Sequence, residues 1–375
     1  MTRRIVFCAD GTWNHPGQDS DADLVSDPSN VYKLFLDLAG EFSADSLRSA
    51  DEQERSFTRP DGSLQVAKYL HGVGDSRNPI IKLLGGAFGS GLISRIVRGY
   101  TFISRNFAPG ADIVIVGFSR GAYTARALAG LIASQGLLRQ DLTVDREQAY
   151  RLGAQAWYRF RRAALRGFSL AHLVEIATDL PAFLSSLGMD DADLVPVDRI
   201  AAVGVWDTVG AMGLPAYVGG GRRLDAFRFA NTALSPKVQA GFHAVARDEQ
   251  REDFSPTLWD PAANVTQVLF PGAHGDVGGG YPQAGGECGL SDGALAWMMA
   301  RLAGIGVAFQ NPPLAAPAPD PAGTAHQPWI HAPWPLFPHG PRQFPAGMPE
   351  DPSVQARRQA GLVLPEPGAA AALYR

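Results

Sequence analysis

Asp112-Ile113-Val114-Ile115-Val116-Gly117-Phe118-Ser119-Arg120-Gly121-Ala122-Tyr123-Thr124-Ala125-Arg126-Ala127-Leu128 is the stretch whose reading decides the fold of this chain. Its first five residues form a short, mostly β-branched run of the kind buried in a parallel sheet. Ala122, Ala125, Leu128, Ala129 and Ile132 then recur at helical spacing, with Gly136 available as a stop. Ser119 therefore falls on a turn between a strand and a helix. A turn that sharp strains the serine backbone, and side chains two positions before and two after would obstruct it; Gly117 and Gly121 occupy those positions. A chain with 42 glycines can form G-x-S-x-G by chance, but the strand before and the helix after mark this one as a nucleophile elbow.

A serine hydroxyl is a poor nucleophile until a base takes its proton, and the base needs a carboxylate to orient it. Residues 200–206 read as another buried strand, which delivers Asp207 at its C-terminal end, where open parallel sheets place their chemistry. The competing role for Asp207 is to cap the following turn. Residues 265–270 read as a third strand and lead into Pro271-Gly272-Ala273-His274-Gly275-Asp276-Val277-Gly278-Gly279-Gly280-Tyr281, a loop whose small residues let the His274 ring reach inward. The order Ser119, Asp207, His274 is the one expected of α/β-hydrolases. His243 is the rival base. It lies in residues 236–249, which read as a helix near Arg247 and Asp248, so a supporting role is expected of it. His326, His331 and His339 fall in a Pro-rich tail and are expected to be packing or solvent residues.

Acyl transfer also needs two donors aimed at the developing oxyanion. Arg120 supplies the N–H that follows the nucleophile, and the second is expected from Gly11 or Thr12, after a strand over residues 4–9. Asp10 and Asp276 are expected to support the site. Asp276, two residues from His274, is placed to hold its loop through backbone N–H groups. Asp10-Gly11-Thr12 after a strand also resembles the first motif of the haloacid-dehalogenase phosphatases, but Cys8 stands where their nucleophilic Asp belongs. The glycine cluster over residues 85–91 lacks the Lys-Ser or Lys-Thr of a phosphate loop.

Taken together, Cys8-Ala9-Asp10-Gly11-Thr12-Trp13-Asn14, Gly72-Val73-Gly74, Gly85-Gly86-Ala87-Phe88-Gly89, the serine elbow through Arg126, Trp206-Asp207-Thr208-Val209-Gly210 and the His274 loop resemble one family. It is the uncharacterised α/β-hydrolase domain family that includes the first family of type VI secretion lipase effectors. The resemblance spans about residues 3–300. It implies an α/β-hydrolase fold, a triad of Ser119, Asp207 and His274, and phospholipase activity as in the characterised effectors. Those effectors are much longer and carry an additional membrane-associating region.

The expected architecture is α/β: a mostly parallel central sheet with helices on both faces and a helical cap insertion over residues 139–198. Residues 1–310 are read as the catalytic domain and 311–375 as a Pro-rich extended segment that wraps it. In the insertion Ala149, Leu152, Ala156, Phe160 and Ala164 form one helical stripe beside Trp157, and residues 169–187 read as a second helix. Residues 146–166 carry six Arg against one acid, which is either a solvated face or a surface for anionic lipid.

A 375-residue chain that is 46 % hydrophobic readily builds a large core. A net charge of -4 argues against nucleic acid as a partner. Neither a signal peptide nor a transmembrane segment is read, and two cysteines give no disulfide framework or metal spacing. The expected location is cytoplasmic, or outside by a route that uses no N-terminal signal peptide. The function expected is a serine hydrolase of carboxylic esters, lipid esters included, that needs no cofactor and contacts anionic membrane peripherally. The alternatives are a thioesterase or peptidase on the same triad, and a non-catalytic membrane-docking module.

Overall fold

The structure, a computed structural model, describes residues 3–11, 14–17, 26–46, 52–72, 88–164, 189–210, 217–218, 222–223 and 232–361. Thr12, residues 85–87, Arg166 and the stretch read as a second helix over 169–187 lie outside the described residues.

Strands β1 (Arg3–Ala9), β2 (Glu41–Phe42), β3 (Glu52–Thr58), β4 (Leu64–Leu70), β5 (Asp112–Phe118), β6 (Ala202–Trp206), β7 (Gly241–Ala246) and β8 (Val265–Phe270) form one sheet in the order β8-β7-β6-β5-β1-β4-β3-β2. Strands β8 through β4 in that order are parallel, and β3 and β2 continue antiparallel at one edge. The parallel strands are short and apolar because both of their faces are covered. Ile5, Phe7 and Ala9 of β1, with Ile113 and Ile115 of β5, enter one cluster; Val6, Cys8, Val114, Val116 and Phe118 enter the other.

On the first face lie helices α2 (Phe88–Asn106), α3 (Arg120–Gln135) and α4 (Arg146–Ala164), while α1 (Asn30–Asp37) and α6 (Gly289–Gly304) cover the second. Between them in sequence come the short α5 (His274–Gly278), and after them α7 (Pro352–Ala360). Helix α3 buries Ala122, Ala125, Leu128, Ala129 and Ile132, the stripe that spacing predicted. It stops at Gly136, whose φ of +82° would strain a side chain and where a Cβ would stand 2.4 Å from the Val195 carbonyl oxygen. Helix α4 buries Ala149, Ala156 and Trp157 with α2 and α3. Within the 139–198 insertion, α4 is thus a third helix of that layer, and Leu194–Val195 pairs antiparallel with Leu137–Leu138.

One expected element is corrected. Residues 236–249 contain no helix; they carry β7, placed between β6 and β8. Val238, Phe242 and Val245 mimic a helical repeat, but Phe242 and Val245 face opposite sides of a strand buried on both.

Candidate active site

The chain runs from β1 to β4 on one side and then to β5 on the other, so the direction of winding reverses between β1 and β5. At such a reversal the segments leaving the C-terminal ends diverge and open a crevice. Ser119 leaves β5 there, Asp10 and Gly11 leave β1, and Asp207 and residues 271–274 leave β6 and β8 further along the same edge.

Ser119 has φ 57° and ψ -121°, a conformation L-residues rarely take, and its hydroxyl does not cap α3. Its N–H donates to the Trp206 carbonyl at 3.1 Å. The flanking glycines are required by contact. A Cβ at Gly121 would lie 2.1 Å from the Ala9 carbonyl oxygen, and one at Gly117 2.3 Å from that of Gly121. Asp207 is the second strained residue, with φ 35°; of the described non-glycine residues only Ala316 shares a positive φ with these two. Two of three such positions at one strand edge is the clustering that functional sites show.

Asp207 is fully buried, and each of its oxygens is committed. Oδ2 accepts from His274 Nδ1 at 2.6 Å, and Oδ1 accepts from the Ala246 N–H at 2.9 Å. Arg342 spans both, donating through Nη1 to Oδ1 at 2.8 Å and Nη2 to Oδ2 at 2.9 Å. Burial alone would push the Asp207 carboxyl up, but the Arg342 charge and the His274 hydrogen bond outweigh it and hold the group well below the usual range.

His274 opens α5, and its ring lies 4.5 Å from the Phe118 ring and edge-on to Phe254 at 5.0 Å. Its N–H donates to Glu249 Oε2 at 3.1 Å. Burial lowers its pKa from the ordinary histidine value, with Asp207 acting the opposite way. The imidazole is accordingly neutral at pH 7, donates a hydrogen bond from Nδ1–H to Asp207, and leaves Nε2 with a lone pair.

The sequence places the remaining candidates less completely. A Cβ at Gly11 would come within 3.2 Å of the Ser119 Cβ, so the β1 loop lies against the serine. The Gly11 N–H, however, donates to Asp10 Oδ1 at 2.7 Å and not toward the serine. Buried Asp10 draws it in together with the Ser29 and Tyr69 hydroxyls, each at 2.7 Å. Arg120 heads α3, where the first-turn N–H groups point out of the helix end.

His243 sits on β7 with Nε2 accepting from the Thr208 N–H at 3.1 Å and Nδ1 facing Gln267 Oε1 at 3.2 Å. Both ring nitrogens are used, and burial with the nearby Arg126 charge drops its pKa to about 3. It buttresses the turn after Asp207. Asp276 accepts from the Ala273 and His326 N–H groups at 2.8 and 3.0 Å and from His326 Nδ1 at 2.6 Å. His326, expected as a packing or solvent residue, is a buried partner stacked on Tyr281 with ring centroids 3.4 Å apart.

Arg342, Glu249 and Gln267 escaped the sequence reading. Glu249 hid in the segment misread as helix. Gln267 was visible as a polar residue inside an apolar strand, and Arg342 had no local signal beyond being a cation among prolines. Among the described residues no group of three or more His, Cys, Asp or Glu is arranged to hold a metal ion.

These features define an α/β protein whose strained serine and buried histidine–carboxylate pair lie along the C-terminal edge of a mostly parallel sheet. The chain belongs to the family described as T6SS, phospholipase effector Tle1-like, catalytic domain, whose model matches residues 3–301. It is 27 % identical over 280 residues to the uncharacterized protein YEL023C of Saccharomyces cerevisiae, covering 71 % of this chain and 34 % of that protein. A solved structure of an uncharacterized protein from Pseudomonas aeruginosa aligns with a TM-score of 0.43 at 19 % identity, over 82 % of this chain and 46 % of that one. The structure of the Tle1 effector bound to the VgrG spike of the type VI secretion system aligns with a TM-score of 0.40 at 19 % identity, over 76 % and 52 %. The chain therefore spans a third to about half the length of these relatives.

Proposed function

We propose that this chain is a serine hydrolase of carboxylic esters with an α/β-hydrolase fold, acting on lipid esters. Ser119 attacks the ester carbonyl as His274 Nε2 takes its proton; the tetrahedral intermediate collapses to an acyl-enzyme as the imidazolium protonates the leaving alcohol. Water then repeats the sequence, with His274 as base, and frees the acid. Asp207 orients the ring and stabilises the imidazolium, and the Arg120 N–H donates to the oxyanion. The observation that carries this reading is the 2.6 Å His274–Asp207 pair at the same C-terminal sheet edge as a serine held at positive φ. Lipid as the substrate class follows from the family's description as a phospholipase effector, and delivery by a type VI apparatus is carried over on the same ground.

A fluorophosphonate probe tests the reading directly. It should label the protein at Ser119, and Ser119→Ala and His274→Ala should each lower ester turnover by about 10³-fold or more. Absence of labelling in a folded protein, or near wild-type turnover in either variant, would sink it.

A further inference from the structure

We propose that Arg342, which lies beyond the part of the chain matched by the family model, is a positioning residue of the catalytic centre: its guanidinium fork sets the plane and the charge of Asp207. The role rests on the serine-hydrolase reading above. The match ends at residue 301, yet the segment that follows returns to the site. It is pinned beside β7 by Gly340 N–H to the Gln250 carbonyl at 2.7 Å and Glu252 N–H to that of Pro338 at 3.2 Å. From that anchor Arg342 reaches inward until its side chain is 5 % exposed.

Besides spanning both Asp207 oxygens, Nη1 donates to the Ala246 carbonyl at 2.6 Å and Nη2 to that of Phe254. The fork is thus itself fixed by two backbone carbonyls, one at the end of β7 and one behind the aromatic ring that faces His274. A planar fork on a planar carboxylate fixes the rotation of Asp207, which no single donor does. That rotation aims Oδ2 at His274 Nδ1.

The charge has a second effect. A carboxylate alone favours imidazolium strongly; one already paired with a guanidinium favours it less, so the pair takes up its proton at lower pH and His274 stays available as a base. The other charged groups facing the pair are Glu249 and Arg251 on the His274 side and Arg126, beside His243, on the strand side. Substitution at residue 342 leaves all of them in place.

The test is kcat and KM on a soluble short-chain ester from about pH 5 to 9 for wild type, Arg342→Gln and Arg342→Lys, with folding followed by near-ultraviolet circular dichroism. Arg342→Gln should raise the acid limb of kcat/KM by about 1 pH unit or more, because the unneutralised Asp207–His274 pair holds its proton to higher pH. It should also lower kcat about 10- to 100-fold with little change in KM, since the base is misaimed and not the substrate. Arg342→Lys keeps the charge but not the fork, so its acid limb should stay at the wild-type position while kcat falls.

A folded Arg342→Gln with an unmoved acid limb overturns the proposal, whatever its activity. If that variant does not fold, Arg342→Lys decides: reduced kcat at an unshifted limb supports the role, and unchanged kcat overturns it. Wild-type protein that a fluorophosphonate fails to label would instead sink the hydrolase reading, and the role with it.

Discussion

His274 and His243 are both buried imidazoles near Asp207, but their surroundings give them opposite duties. His274 keeps one nitrogen in reserve; His243 spends both on Thr208 and Gln267. The His243 pKa falls to about 3 in the folded protein against about 6.5 in an unfolded chain. Between those values the unfolded state binds a proton that the native state refuses, so stability rises with pH across that window and is lost on acidification. A single proton sets a slope of at most about 1.4 kcal/mol per pH unit. His274, also lowered, adds the same sign just below its unfolded value. Denaturant titrations of His243→Asn should therefore show a shallower rise of stability between about pH 4 and 6, even though the variant is less stable at pH 7. An unchanged slope would mean that His243 is not held neutral. For activity, the lowered His274 pKa places the acid limb of kcat/KM for the wild type below about pH 6.5, the ordinary histidine value.

At the scale of elements, glycines separate contact from cost. Gly121→Ala would drive a Cβ into the carbonyl oxygens of Ala9 and Asp10, so helix α3 must withdraw from β1 and carry Ser119 out of place. Overpacking of this kind costs about 1–3 kcal/mol, and fluorophosphonate labelling should fall further than the lost stability explains. Gly293, inside α6, has open space where its Cβ would be, and Gly293→Ala should raise stability by about 0.5–1 kcal/mol through helix propensity alone. Thermal melts with opposite shifts for the two variants check both. The same contacts explain what the sequence made readable. Strands β1, β5, β6 and β8 were visible because each is an apolar run ending in a polar or glycine-containing turn, and the elbow because its G-x-S-x-G spacing is local in sequence, although the contact that forces Gly121 comes from Ala9 and Asp10 at the end of β1. Strand β7 was not. Buried on both faces, it has no alternation to betray it, and its Phe242 and Val245 spacing satisfied a helix equally well. The clamp on Asp207 was invisible for another reason: Arg342 stands 135 residues away in sequence, and only the folded return of the tail brings them together.

At the scale of the whole molecule, the tail turns from wrapping into participation. His326 grips the His274 loop through Asp276, and Trp334 packs edge-on to Phe254 at 5.4 Å, the ring that faces His274. The basic helix α4 is also less uniform than its composition suggested. Arg159 pairs with Asp191 and Arg161 lies over the Trp157 ring at 5.9 Å, so those charges already have work inside the molecule. Arg151 and Arg162 are exposed and stand about three helical turns apart, which puts them on one face. Two arginines near an anionic lipid surface contribute about 1 kcal/mol each, weak binding that salt would screen. No described helix is long and apolar enough to cross a membrane. Sedimentation with anionic vesicles at low salt should consequently weaken in the Arg151→Gln/Arg162→Gln double variant and in wild type on raising salt, while hydrolysis of a soluble short-chain ester stays unchanged in both. Vesicle binding indifferent to both charge and salt would leave this face as a solvated flank of the core, and any lipid contact would have to come from elsewhere on the protein.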